Sequence, residues 1–115
     1  MNKTLAHCIN QARKLPIKRG RHRVYAAVVN SKGRIIGEGS NCYAKTHPRN
    51  AKYSDNKHYI HAEQRAIMRS MRNGEGVKLY IARVLKDGTS ALAKPCCVCD
   101  MWIKDSSIAS VEYTV

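Results

Sequence analysis

The chain has 115 residues, a formal net charge of +13 and a hydrophobic content of 43%, so we expect one small domain over residues 1–115. No apolar run approaches the roughly 20 residues of a membrane span, and the first residues lack the apolar core of a secretory signal. The composition therefore argues against a membrane-spanning chain or a membrane partner, predicts a cytoplasmic location, and in that reducing compartment disfavours a disulfide framework for the five cysteines.

The first half of the chain predicts a helix followed by a β-hairpin. Apolar residues recur every three to four positions over residues 3–15, which predicts an amphipathic helix that stops at Pro16. The runs HRVYAAVVN and IIGEGSN, separated by the turn SKGR, then predict two antiparallel strands. Gly37 and Gly39 weaken the second strand, which indicates an edge, a bulge or a backbone that passes close to a ligand.

The second half alternates between helical and extended patterns. In order, it predicts a long polar loop, a helix, a strand, a short helix and a last strand, at residues 42–56, 59–74, 77–85, 97–104 and 108–115. The turn KDGTS closes the strand that precedes the short helix. We therefore expect an α/β fold with a mixed sheet, in which an antiparallel hairpin lies beside parallel strands joined by crossover helices.

Three of the five cysteines crowd into PCCVC, residues 95–99. A disulfide pair, a redox site, half of a metal site and a chance arrangement are the alternatives for such a cluster. Cys96 and Cys99 are three positions apart, which places both sulfurs on one side of the first turn of a helix. Cys97 points elsewhere at this spacing and is interpreted as an ordinary small thiol. Since zinc takes four ligands, two sulfurs require further partners.

His61 begins the second predicted helix, within the sequence HAE. His-Ala-Glu followed by Pro-Cys-x-x-Cys matches the H-x-E…P-C-x-x-C signature of zinc deaminases. On these residues the sequence is identified as a member of the cytidine and deoxycytidylate deaminase superfamily. The resemblance implies a three-layer α/β/α sandwich and hydrolytic deamination of a nucleobase.

The resemblance also implies a catalytic Zn²⁺ held by His61, Cys96 and Cys99. A fourth tetrahedral position left to water is typical of a catalytic zinc, which lowers the pKa of bound water to about 7. Glu63 is then expected to take the proton of that water and pass it on, and the resemblance implies that it moves protons to the ring nitrogen and to the leaving amine. Ligands at helix starts favour this chemistry, because unpaired N–H groups there stabilise thiolates.

Three further residues are expected to bind the substrate by the same resemblance. Asn41 would contact the sugar, the main-chain amide of Ala62 the base, and Pro95 would shape the pocket wall beside the leaving amino group. For Asn41 a plain turn residue remains the alternative, because asparagine favours such positions.

The C-terminus departs from the family pattern. Many relatives continue past the fourth strand with another helix and strand, whereas this sequence stops at Val115. We interpret the fold as truncated at its C-terminus, with the far wall of the pocket supplied by a neighbouring subunit or by the basic segment 42–56. A homo-oligomer is the resulting expectation.

The basic segment raises the question of a second, structural zinc, which some deoxycytidylate deaminases carry near this loop. Cys42, His47 and His58 are candidate ligands. Tyr59 occupies the position where such relatives place another histidine, so the ligand pattern is incomplete. The surrounding sequence, residues 45–67, is similar to short deaminase-like proteins of bacteriophages.

The positive charge is concentrated in the first half of the chain, where residues 1–58 hold 13 Lys and Arg against 2 Asp and Glu. Such a surface attracts a nucleic-acid backbone or the phosphate of a small nucleotide, although a solvated, solubilising face accounts for it equally. Candidates to hold a phosphate are Lys18, Arg19, Arg21, Arg49 and Lys52.

Three functions fit these features: a deaminase of free cytosine nucleotides or nucleosides, a deaminase of polymeric nucleic acid such as tRNA or single-stranded DNA, and a non-catalytic zinc module that binds nucleic acid or protein. We expect the first, with deoxycytidylate or deoxycytidine ahead of cytidine. Aromatic residues that could stack the bases of a single strand are few. A structural zinc would have four protein ligands, whereas the motif supplies three and a glutamate.

Overall fold

The computed structural model describes residues 2–18, 22–41 and 60–115. These residues form three helices and five strands, which in chain order are α1 Lys3–Arg13, β1 Arg23–Val29, β2 Ile35–Ser40, α2 Ala62–Ser70, β3 Lys78–Val84, β4 Ser90–Ala91, α3 Cys97–Lys104 and β5 Ser110–Tyr113. The predicted order is confirmed, and the two-residue strand β4 is an addition to it. The predicted loop at 42–56 lies outside the described residues. None of the three helices is long and apolar enough to cross a bilayer.

β3 is the central strand of the sheet, whose order is β2-β1-β3-β4 with β5 also paired to β3. The β1–β2, β1–β3 and β3–β4 pairs are antiparallel, and the β3–β5 pair is parallel. β4 and β5 share one edge of β3, because β4 pairs with Arg83 and Val84 while β5 pairs with the other end of the strand. The sheet is therefore mixed, as the sequence predicts.

The side chains of the sheet alternate between two apolar layers. On β1, Ala26 and Val28 pack with α2 and α3, whereas Ala27 and Val29 pack with α1. This alternation follows from the two-residue period of a strand that is buried on both faces. One helix on one face and two on the other give the three-layer α/β/α sandwich that the family resemblance implies.

The glycines of β2 serve the packing of a helix. β2 is an edge strand with a register shift opposite Val28 and Val29, so the predicted edge and bulge are both present. A Cβ on Gly37 would lie 2.3 Å from the carbonyl oxygen of Ala66 in α2. A Cβ on Gly39 would lie 2.5 Å from the Arg65 side chain. Among the residues described, the backbone of β2 therefore approaches α2 closely at these glycines. The packing of α2, and not a ligand, accounts for the glycine at position 37.

Candidate metal centre

The start of α2 fixes the position of His61. His61 is the N-cap residue of this helix and has extended backbone dihedrals. The side-chain Oε1 of Gln64 accepts the N–H of His61 at 3.1 Å, as in a capping box. Gln64 is fully buried, so the hydrogen bond is shielded from water. The backbone of His61 at the start of α2 is therefore held in place by Gln64.

The start of α3 positions the two sulfurs. Cys96 is the N-cap residue of α3, and its Sγ accepts the N–H of Cys99 at 3.5 Å. Pro95 precedes this cap. Because proline has no backbone N–H, it is tolerated at this position, where no helical hydrogen bond is lost. The three-residue spacing brings both sulfurs to the same side of the first turn, as the sequence predicts.

The ligand atoms of α2 and α3 meet in one group. Nδ1 of His61 lies 3.1 Å from Sγ of Cys99 and 3.6 Å from Sγ of Cys96. A tetrahedral zinc with its usual bond lengths separates a nitrogen ligand from a sulfur ligand by about 3.5 Å. Two cysteines and one histidine are also the donor types that zinc prefers. The residues present therefore fit a zinc ion, and within the described ranges the group has these three members.

The pKa values of the two cysteines of this group are shifted in opposite directions. The hydrogen bond with Cys99, helped by His61, lowers the pKa of Cys96 to about 3. The same hydrogen bond, together with burial, raises the pKa of Cys99. Because zinc binds cysteine as the thiolate, Cys99 would have to lose its proton to hold a zinc ion here.

Glu63 lies beside the metal group and is buried. Burial raises the pKa of its carboxyl group above the ordinary value of 4.5, and the hydrogen bonds that it accepts from its own backbone N–H and from Cys99 oppose this only in part. A carboxyl group with a raised pKa exchanges a proton more readily near neutral pH than an exposed one does.

A cleft of about 170 Å³ opens next to the metal group. The predicted residues that line it are Asn41, His61, Ala62, Glu63 and Cys96. Its other lining residues are His22, Val24, Ile81, Arg83, Leu92, Ala93 and Lys94. Metal ligands, the buried carboxyl group and two of the predicted substrate-binding residues therefore meet at one cavity.

Asn41 lines the cleft while its side chain holds the start of β1. Its Nδ2 donates to the carbonyl oxygen of His22 at 3.1 Å, and its Oδ1 accepts the N–H of Val24 at 3.4 Å. Ala62 is the first residue of α2, where a backbone N–H has no acceptor within the helix. Both positions are compatible with substrate binding, which stays a prediction for each.

Pro95 lies beside the cleft, between two of its lining residues, but does not line it itself. It lines a separate concavity together with Lys94, Cys96, Asp100, Val111 and Tyr113. In the described part of the cleft Pro95 makes no direct contact with the cavity, and its role in the pocket wall stays a prediction. The candidate ligands of a second zinc, Cys42, His47 and His58, lie outside the described residues.

Gln64 and Arg83 are among the residues of the site that were not predicted from the sequence. Gln64 donates from Nε2 to Sγ of Cys99 at 3.5 Å, and its position three residues after a helix N-cap was the available signal, because glutamine at this position completes a capping box. Arg83 follows Leu79 and Ile81 on the same face of β3, where the strand period places an arginine among buried apolar positions.

The whole sequence, residues 1–115, matches the family described as "Cytidine and deoxycytidylate deaminase zinc-binding region". No curated protein sequence matches it significantly. Among solved structures, cytidine deaminase from Mycobacterium tuberculosis is similar in fold, with a TM-score of 0.57 and 14% identity over 92% of this chain and 79% of that chain. A glutamate-to-glutamine mutant of that enzyme gives a TM-score of 0.57 and 15% identity over 92% of this chain and 80% of the other.

Proposed function

Because the chain belongs to the cytidine and deoxycytidylate deaminase family, we propose that it catalyses the zinc-dependent hydrolytic deamination of a cytosine nucleotide or nucleoside. Water and the cytosine compound give the uracil compound and ammonia. Deoxycytidylate and deoxycytidine are the preferred substrates, ahead of cytidine. The observation that carries the proposal is that the three zinc ligands and the buried carboxyl group of Glu63 line or adjoin a single cleft.

His61, Cys96 and Cys99 would hold the zinc ion, which supplies Lewis acidity and makes water nucleophilic at neutral pH. Glu63 moves protons in the reaction. Its buried carboxylate accepts one proton of a water molecule in the cleft and delivers it to the ring nitrogen. It then accepts the second proton, from the hydroxyl group added to the ring carbon, and delivers it to the leaving amine as the C–N bond breaks. Protonation of the amine is required because neutral ammonia is a far better leaving group than an amide ion.

The rest of the cleft binds and orients the substrate. The N–H of Ala62 is available to a carbonyl oxygen of the base, and Asn41 lies where the sugar is expected. Val24, Ile81 and Leu92 give the cleft apolar walls that pack against the base and exclude water. Pro95 shapes the pocket wall beside the leaving amino group through its neighbours Lys94 and Cys96, which line the cleft.

Two features of the site support this function over two others. A deaminase of polymeric nucleic acid would use the same metal group, but single-strand binders stack bases on aromatic side chains. No tyrosine or tryptophan is among the described residues that line the cleft. A non-catalytic zinc module is disfavoured because the part of the group that is described has three protein ligands beside a buried carboxyl group.

The test is ammonia release by the zinc-loaded wild-type protein. The panel contains deoxycytidylate, deoxycytidine, cytidine, a cytosine-containing single-stranded oligodeoxynucleotide and an adenosine-containing RNA hairpin, with products identified by chromatography. We expect conversion of the free deoxycytosine compounds. Conversion of an oligonucleotide alone would replace the proposal by the nucleic-acid function. No conversion by protein that binds one zinc per chain would favour the non-catalytic module.

A cytoplasmic location and a homo-oligomeric state form part of the proposal. Zinc binding requires reduced Cys96 and Cys99, which suits a reducing compartment. Leu92, at the cleft, is 55% exposed, and coverage by a neighbouring subunit would complete the apolar wall there. Light scattering on the purified protein, with and without a bound nucleotide, measures the oligomeric state.

A further inference from the structure

Arg83 carries a charge that has no partner in the described part of the molecule. Its backbone N–H donates to Oγ1 of Thr114. Its side chain, by the alternation of β3, lies on the same face as Ile81, and its Nε is buried without a hydrogen-bond partner among the residues described. Buried polar groups are normally satisfied, so an unpaired buried guanidinium nitrogen at a cavity points to an anionic ligand.

Arg83 separates the cleft from a second cavity, which we name the basic concavity. The basic concavity has a volume of about 160 Å³ and is lined by Ile17, Lys18, His22, Arg23, Arg83, Val84, Leu85 and Lys86. It shares His22 and Arg83 with the cleft. Its described lining includes no aspartate or glutamate. The two cavities are therefore neighbours, and the one away from the zinc ligands is cationic.

The cations of the basic concavity are not equally available. Arg23 is buried and donates to the carbonyl oxygens of Arg13, Leu15 and Leu85, so its donors are used in holding α1 against the end of β3. Lys18 and Lys86 are exposed. They and Arg83 therefore remain to bind a ligand, while the charge of Arg23 adds to the local positive potential.

Asp87 is the nearest acidic residue in sequence, and it is engaged elsewhere. Its Oδ1 accepts the N–H of Thr89 at 3.0 Å and the Thr89 hydroxyl at 2.7 Å, within the turn between β3 and β4. It does not line the basic concavity. Its carboxylate also interacts electrostatically with Arg23, so it offsets part of the positive potential without occupying the concavity.

We propose that the basic concavity binds the phosphate group of a free nucleotide whose base occupies the cleft, an inference that rests on the proposed function. Arg83 offers donors in a planar fork that matches phosphate oxygens, and Lys18 and Lys86 add point charges. Arg83 is two residues along β3 from Ile81 in the cleft, a separation of about 7 Å that a sugar ring spans. Phosphorylated nucleotides therefore bind better than nucleosides.

The experiment measures binding of reaction products, which are not turned over. Calorimetry on the zinc-loaded wild-type protein compares deoxyuridylate with deoxyuridine. We expect deoxyuridylate to bind at least about tenfold more tightly, as charge-assisted hydrogen bonds to phosphate allow. Equal dissociation constants for the two compounds would overturn the inference. A short oligodeoxynucleotide that binds more tightly than deoxyuridylate would also overturn it, in favour of a strand backbone as the source of the phosphate.

Variants assign the effect to the basic concavity. In the double variant Lys18→Gln/Lys86→Gln, the preference for deoxyuridylate over deoxyuridine should fall about tenfold, because two exposed cations are lost. Lys32→Gln, in the turn between β1 and β2, is the matched control and should keep the preference. Arg83→Gln should abolish the preference for deoxyuridylate. If Arg83→Gln does not fold, the result for the double lysine variant decides whether the concavity binds the phosphate. An unchanged preference in the lysine pair would contradict the assignment.

Binding and turnover separate the two hypotheses. A preference for deoxyuridylate in a protein that releases no ammonia would support the phosphate site and overturn the proposed deaminase function. Ammonia release with no phosphate preference would overturn the phosphate site alone.

Discussion

The side-chain amide of Gln64 donates a hydrogen bond to Sγ of Cys99, with Nε2 and the sulfur 3.5 Å apart. The other end of the same amide accepts the N–H of His61. One buried side chain thus links a metal ligand on α3 to the backbone of a metal ligand at the start of α2. Such outer contacts orient ligands and stabilise thiolate charge, so the zinc site extends beyond its three ligands.

Replacing Gln64 by leucine should weaken zinc binding. The variant keeps the approximate volume of the side chain but removes both hydrogen bonds, and loss of an outer-shell partner typically costs about 10–100-fold in metal affinity. Competition with a chromophoric chelator measures the change. Gln11→Leu, on α1 and away from the metal group, is the matched control. Equal zinc affinity in the two variants would contradict the role given to Gln64.

Replacing Glu63 by glutamine should separate zinc binding from turnover. The amide cannot accept and deliver the proton, so ammonia release should fall by about 10²-fold or more while one zinc per chain is retained. Glu112→Gln, at the partly exposed ion pair with Lys78, is the control and should keep full activity. Zinc loss in Glu63→Gln equal to that in a ligand variant would show that Glu63 acts on the metal and not on the proton.

Replacing Cys99 by serine should remove the metal and the stability that depends on it. Binding free energy of a metal adds to folding free energy, so a strong chelator should lower the melting temperature of the wild-type protein and leave that of Cys99→Ser unchanged. Cys8→Ala, in the buried layer under α1, is the control. It should lose stability through a cavity and still respond to the chelator. If the chelator leaves the melting temperature of the wild-type protein unchanged, metal binding is not coupled to folding.

Gly37 should be the least replaceable residue of β2. An alanine there would bring its Cβ against backbone atoms of Ala66 and Ser70, which move only if α2 moves. We expect Gly37→Ala to lower the free energy of unfolding by about 1–3 kcal/mol, as overpacking does. Gly39→Ala is the comparison, because its Cβ would meet side-chain atoms of Arg65, Cδ and Cγ, and not the backbone of α2. Urea denaturation of both variants tests this, and an equal cost would show that α2 shifts freely.

The sequence predicts the parts of this molecule that depend on local patterns. The period of apolar residues predicts the order of helices and strands. The signature around His61 and Cys96 predicts, through the family resemblance, that the three metal ligands lie together. The roles of Gln64 and Arg83 depend on how α2 packs on α3 and on which face of β3 meets which layer. Both are long-range relationships, so spacing along the chain carries only an indirect signal for them. The short strand β4 is similarly set by its pairing with β3 rather than by its two residues.

Glu38 should make the stability of the fold depend on pH. Burial raises the pKa of its carboxyl group, but hydrogen bonds from His7 and Tyr25, at 2.8 and 2.6 Å, outweigh that effect and lower it. A lowered pKa in the folded state means that the carboxylate stabilises the fold above the ordinary value of 4.5, and that this contribution is lost as the pH falls through the folded pKa. The difference in unfolding free energy between wild type and Glu38→Gln should therefore be largest near pH 7 and shrink below about pH 4. Acid also releases zinc from both proteins, so the comparison is made on metal-free protein by urea denaturation, with Glu112→Gln as the partly exposed control. A difference that stays constant from neutral to acidic pH would mean that Glu38 contributes through its packing and not through its charge.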